Sequence, residues 1–209
     1  MNVALSLAAV AAGVALTLMG ERLERPWLEW LGKPLASGAF VVLALLGWPV
    51  VATPWSYAIL TALLLSAVGD VCLIAKGKGP GFLAGLVAFL LGHVAYVVAF
   101  VTQPLVLERA LITAVLLAPA ALWIARALVR RADARMAVAV SAYVAVISVM
   151  VTLAFAVPRG PVLPFAAVLF FVSDLFVARQ RFVERAFVNR AVGLPIYYAA
   201  QVLFALNVA

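Results

Sequence analysis

Long apolar stretches, each closed by a short cluster of charged or turn-forming residues, repeat from one end of the chain to the other. They predict eight helices, over residues 3–19, 34–50, 54–75, 81–101, 107–129, 136–157, 161–178 and 189–208. Each stretch is close to the roughly 20 residues that cross a hydrocarbon layer about 30 Å thick. Together they leave no segment for a separate soluble domain, so residues 1–209 read as one transmembrane domain. Pro34, Pro54 and Pro161 stand where helices are expected to open, because the first turn has no intrahelical use for the missing N–H. Pro119 and Pro195 fall inside runs and are expected to kink them.

Composition turns this pattern into a fold class. With 68% hydrophobic and only 11% charged residues, the chain carries more apolar surface than a soluble domain of this length can bury. The expected class is all-α, a polytopic integral membrane bundle of eight transmembrane helices in a cell membrane. A first run without a basic n-region reads as a retained helix rather than a signal peptide. The net charge of +7 would suggest nucleic acid in a soluble protein, but here the basic residues gather between apolar runs, which is a topological pattern and implies no nucleic-acid partner. Arg22, Arg25 and Lys33, Lys76 and Lys78, Arg126 to Arg135, and Arg179 to Arg190 all follow odd-numbered helices, whereas only Arg109 and Arg159 follow even ones. That asymmetry places the odd-numbered loops in the cytoplasm and both termini on the far side. The single cysteine, Cys72, allows no intrachain disulfide.

Six of the eight acidic residues fall in or beside these expected loops, leaving Asp70 and Asp174 as the carboxylates within spans. An ionisable side chain near a helix centre costs ~2.5 kcal/mol or more and normally faces the bundle interior with a function; the plainer alternative is snorkelling to the interface. Both aspartates precede a basic loop by about a turn and a half, on helices expected to run in the same direction. Ser66 to Lys76 and Phe171 to Arg179 form a short parallel match with a four-helix offset, while the inverted repeat of many transporters is not evident. In the fourth helix Phe82, Gly85, Phe89, His93 and Tyr96 recur at steps of three and four, one continuous face. His93 is the chain's one histidine, and either a buried hydrogen bond or a functional role accounts for it. Arg190, Tyr197 and Gln201 share a face of the last helix, where Tyr197 and Gln201 serve as interhelical hydrogen-bond partners or as site residues. Lys33 either binds a phosphate or anchors its helix at the headgroups.

Several motifs are excluded. Lys76 to Gly81 is a glycine-rich turn without the Gly-Lys-Ser/Thr ending of a phosphate-binding loop. No His/Cys/Asp set has zinc-ligand spacing and no Gly-x-Ser-x-Gly elbow is present, so neither metal nor cofactor is expected.

Taken in order, Lys33-Pro34, Ser66 to Asp70, the Phe82–Gly85–Phe89–His93–Tyr96 face, Tyr143 with Met150, Ser173-Asp174, Arg181-Phe182, and Tyr197-Tyr198 with Gln201 resemble the YhhN-like lysoplasmalogenase family of eight-span membrane proteins. The resemblance extends from the second helix through the eighth. It implies a membrane hydrolase that cleaves the vinyl ether bond of a lysoplasmalogen, a lysophospholipid, to a fatty aldehyde and a glycerophospho-alcohol such as glycerophosphoethanolamine or glycerophosphocholine. It further implies Asp70, Asp174 and His93 as catalytic residues, with Lys33, Ser66, Tyr96, Ser173, Arg190, Tyr197, Tyr198 and Gln201 around the substrate and membrane lipid around the bundle. Such chemistry protonates the alkenyl carbon and captures an oxocarbenium-like cation with water. Two carboxylates in differing environments can divide those tasks, as they do in glycoside hydrolysis. The competing reading is a proton-coupled carrier of lipids or small molecules that uses Asp70, Asp174 and His93 as a relay; an intramembrane aspartyl protease has only Gly69-Asp70 in its favour.

Overall fold

Helix is the structure expected where lipid offers the backbone no hydrogen-bond partner, and helix is what the chain forms. The computed structural model describes residues 2–74 and 80–209. Among them are eight helices: α1 (Val3–Arg22), α2 (Pro26–Leu46), α3 (Pro54–Cys72), α4 (Pro80–Val101), α5 (Leu107–Val129), α6 (Ala134–Ala156), α7 (Val162–Phe182) and α8 (Phe187–Ala205). Seven of them, α1 to α7, are long and apolar enough to cross a membrane. Local signals fix several starts. The Asn2 side chain accepts from the Leu5 amide, Asp133 accepts from Met136, and Thr53 with Ser56 closes a capping box ahead of Pro54.

Consecutive helices pair as hairpins: α1 with α2, α3 with α4, α5 with α6, and α7 with α8. The hairpins join through α2 on α3, α4 on α6 and α6 on α7, while α8 also packs on α1, α2 and α3. The core between them is aromatic, with Phe40, Trp55, Tyr96, Phe100, Phe170 and Phe204 buried. α5 lies at the periphery and exposes Leu111, Ile112, Val115, Leu116 and Trp123, the surface expected to meet lipid chains. A smaller apolar cluster, Leu128, Val140 and Val144 with Phe182 against it, joins α5, α6 and α7.

Two expectations are corrected. Pro34 does not open α2; the helix begins at Pro26 and carries Pro34 inside it. Glu29 and Lys33 gave that segment the look of a loop, but both side chains are buried, so they face the protein interior rather than headgroups. Consequently Glu29 joins the two aspartates as a carboxylate within a helix. Likewise α7 continues through Arg179 and Arg181 to Phe182 instead of ending near 178. Asp174 therefore stands well inside α7, whereas Asp70 lies in the last turn of α3. The equal spacing of the two aspartates from basic residues was not equal spacing from helix ends. Pro161 is the residue just before α7. Lys76, Lys78 and the glycines around them lie outside the described residues.

Close approach of α1 and α2 depends on glycine. A Cβ built on Gly13 would fall 2.5 Å from the Gly32 carbonyl oxygen and 2.7 Å from the Ala36 nitrogen, the small-residue contact that lets membrane helices meet backbone to backbone. Gly13→Leu is expected to cost about 1–3 kcal/mol through overpacking, read as a clear fall in thermal midpoint in detergent. Gly38→Ala on α2 meets nothing within 4 Å and should leave the midpoint unchanged.

Candidate active site

Asp70 occupies the last turn of α3, where backbone carbonyls lack intrahelical donors. Lys33 supplies one: its Nζ donates to the Asp70 carbonyl oxygen at 3.3 Å. One turn further along α2, on the same face, the Ser37 hydroxyl donates to Asp70 Oδ2 at 2.6 Å. Two consecutive tyrosines of α8 reach the same oxygen, Tyr197 at 2.8 Å and Tyr198 at 3.2 Å. Three hydroxyls thus converge on one carboxyl oxygen, with a cationic side chain beside it. Gly69 makes room for this arrangement, since a Cβ there would lie 2.7 Å from the Phe89 ring.

Asp174 has a different set of neighbours. The Tyr143 hydroxyl of α6 donates to its Oδ2 at 2.9 Å, and His93 Nε2 of α4 stands 3.5 Å from that oxygen. His93 Nδ1 lies 2.7 Å from the Phe89 carbonyl oxygen. A carbonyl can only accept, so Nδ1 carries a proton and Nε2 is the nitrogen presented to Asp174. Nε2 is buried and makes no hydrogen bond among the described residues. Facing each other, a bare imidazole nitrogen and a carboxylate would be two acceptors. The pair is complementary only when it holds one proton, on the carboxyl group or on the ring.

Both aspartates line one cavity of about 110 Å³, together with Lys33, Tyr143, Ser173, Arg190 and Tyr197. Its remaining wall is largely apolar and includes Phe89, Leu128, Val140, Val144 and Ile147. Phe82 and Arg181 stand at the end of the bundle carrying the odd-numbered loops, with the Arg181 guanidinium 4.1 Å from the ring centroid of Phe82. Arg190 also lines the cavity and reaches Glu21 Oε2 of α1 at 3.6 Å.

The other residues singled out from the sequence are arranged around this pair. Tyr96 donates to Gln201 Oε1 at 2.8 Å, and Gln201 Nε2 donates to Ser66 Oγ at 3.4 Å. All three are buried and stand behind the cavity wall. They link α4, α8 and α3, so they brace the helices that carry His93, Tyr197 and Asp70. Tyr198 also lies behind the wall but touches Asp70 directly. Ser173 lines the cavity, yet its hydroxyl donates back to the Phe170 carbonyl of its own helix. Sequence reasoning did not single out Ser37. A lone serine in an apolar helix carries little signal, although its four-residue spacing from Lys33 places it on the lysine's face.

Chemically, the cavity offers two carboxyl groups of unlike surroundings, one held by three hydroxyl donors and one sharing a proton site with an imidazole. Among the described residues, no three His, Cys, Asp or Glu side chains gather as a metal-ligand group. A family model described as YhhN family matches residues 28–208. No curated protein and no solved structure matches the chain.

Proposed function

The chain belongs to the YhhN family, and from that premise we propose that it is a membrane-embedded hydrolase that cleaves the vinyl ether bond of lysoplasmalogens. The observation that carries the reading is the unlike pair of aspartates on one largely apolar cavity. Asp174, poised against His93 Nε2, is the acid. It delivers a proton to the alkenyl carbon remote from the ether oxygen, producing an oxocarbenium ion whose positive charge spreads onto that oxygen. Asp70, held as an acceptor by Ser37, Tyr197 and Tyr198, places negative charge near the cation and takes a proton from the attacking water. The resulting hemiacetal collapses to a fatty aldehyde and the glycerophospho-alcohol, so the net change is addition of one water. Lys33 balances the charge of Asp70, and Arg190 meets the substrate phosphate. The alkenyl chain lies along Val140, Val144 and Leu128.

The test is incubation of the purified protein with a lysoplasmalogen and with its saturated ether analogue. Aldehyde from the first and none from the second is the expected result. Movement of either lipid across a sealed vesicle without conversion would instead identify a carrier.

All eight helices span the bilayer in this reading, α8 included. α8 is 19 residues long and packs against α7, α1, α2 and α3; its Tyr197, Tyr198 and Gln201 are buried in the bundle rather than exposed to lipid. With 12 of the 15 basic residues at or near the connections that follow odd-numbered helices, and Lys33 about two turns into α2, those loops face the cytoplasm and the termini face away. A topology reporter fused after Ala209 should then behave as non-cytoplasmic, and a cytoplasmic signal would reverse the assignment.

A further inference from the structure

Beside the aspartate cavity lies a second one, of about 150 Å³, whose walls include Glu21, Gln180, Arg181, Arg185, Asn189 and Arg190. Phe82, Arg181 and Arg190 line both cavities, so the two adjoin at the end of the bundle that carries the basic loops. Among the described residues of its wall, three arginines against one glutamate leave the second cavity with an excess of positive charge. The Arg181 guanidinium lies over Phe82, an arrangement that leaves the in-plane N–H groups open to an anion. The N-terminus of the 19-residue α8 adds its own positive end. Its N-cap residue, Ala186, offers no side-chain cap, and no acidic residue occupies its first turn.

One further group distinguishes what this cavity takes besides an anion. Asn189 is 2% exposed, and its Nδ2 donates to Gln180 Oε1 at 2.9 Å and to the Glu184 carbonyl at 2.8 Å. Gln180 Oε1 also accepts from the Ala186 amide at 3.0 Å, which only an oxygen can do. That contact fixes the glutamine's orientation and, through it, the asparagine's. Asn189 Oδ1 is thereby left as a buried acceptor without a hydrogen-bond partner among the described residues. Buried polar groups are rarely left this way, so such an atom calls for a donor from water or from a ligand. The Glu21 carboxylate lines the same cavity.

We infer that the second cavity is a headgroup subsite for a phosphate ester bearing a primary ammonium, with Arg181, Arg185 and Arg190 on the phosphate and Asn189 Oδ1 and Glu21 on the ammonium. The inference rests on the lysoplasmalogenase reading for its glycerophospho-ethanolamine chemistry and adds a headgroup preference to it. A primary ammonium brings three N–H donors, whereas the trimethylammonium of a choline headgroup brings none. Choline esters keep the phosphate contacts and lose the rest.

Binding to the full chain in detergent, measured calorimetrically without turnover, tests it. Glycerophosphoethanolamine should bind at least 10-fold more tightly than glycerophosphocholine or inorganic phosphate. Arg185→Gln should weaken it by about 10-fold, and Glu21→Gln should bring the two esters close together in affinity. Asn189→Leu should do the same if the variant stays folded; Glu21→Gln keeps the side chain's shape and does not depend on that condition. Equal affinity for the two esters in the unmodified protein would overturn the inference, as would phosphate binding as tightly as the ethanolamine ester or an Arg185→Gln variant that binds normally. A protein that binds the ethanolamine ester in this way but releases no aldehyde from any lysoplasmalogen would overturn the reaction and leave the subsite standing. Aldehyde release without headgroup discrimination would do the reverse.

Discussion

Asp174→Asn will lower aldehyde release from a lysoplasmalogen by about 10²- to 10⁴-fold, the usual contribution of a positioned acid, while the protein remains folded and membrane-inserted. The geometry separates these two outcomes. In the unmodified protein the Tyr143 hydroxyl donates to Asp174 Oδ2, and His93 Nε2, an acceptor in the neutral ring, stands 3.5 Å from the same oxygen. An asparagine that places its amide nitrogen where Oδ2 stood has two N–H groups, one for His93 Nε2 and one for the Tyr143 oxygen, which can accept as well as donate, so both contacts can be kept. It also removes an ionisable group that is costly within a membrane helix. The one thing lost is a proton that can be given away. Size-exclusion behaviour and thermal midpoint should therefore match the unmodified protein, and kcat should fall with little change in KM. An active Asp174→Asn variant would move the acid to another residue, and His93 would be the first to examine.

Asp70→Asn should be as damaging to turnover, for a different reason. Its carboxyl oxygen is met by the hydroxyls of Ser37, Tyr197 and Tyr198, a donor set that an amide oxygen can also accept. The fold is again expected to survive, but the negative charge opposite the developing cation disappears, and electrostatic stabilisation of that kind is commonly worth 10²- to 10³-fold or about 2.7–4 kcal/mol. The neighbouring hydroxyls provide a graded control. Ser37→Ala and Tyr197→Phe each remove one donor and keep the charge, so each should reduce kcat by far less than Asp70→Asn. If loss of a single hydroxyl were as severe as loss of the carboxylate, Asp70 would be acting through its geometry rather than its charge.

Much of this arrangement can be read from the chain. The apolar runs mark eight helices, and the His93 face of α4 points inward along its length: Gly85, Phe89, His93 and Tyr96 are all buried. Intramembrane cost alone singles out Asp70 and Asp174. What hydropathy could not read is burial of charge inside the bundle. Glu29 and Lys33 look like loop residues by composition, yet α2 encloses both, and the same confusion shortens the expected α7 at Arg179 and Arg181. A helix end rich in arginine is still helix, because the long side chains reach toward solvent while the backbone stays bonded. Partner assignment was equally hidden. Nothing in the spacing of Ser37 or Tyr143 says which of two aspartates it meets, since that depends on how helices distant in sequence rotate against one another. The difference in surroundings between the two aspartates, on which the proposed division of roles rests, appears only once α2, α4, α6 and α8 are in place.

The central claim is that the reaction begins with proton transfer to the alkenyl carbon, and turnover in deuterium oxide tests it most directly. The aldehyde is trapped by immediate reduction, and the configuration of the label at the carbon next to the former carbonyl is read by NMR of a chiral ester. The account predicts one deuterium at that carbon in a single configuration, because Asp174 delivers it from a fixed position, and almost no labelled product from Asp174→Asn. Deuterium divided equally between the two configurations would contradict it, because an enol set free by cleavage elsewhere takes deuterium from bulk solvent on either face.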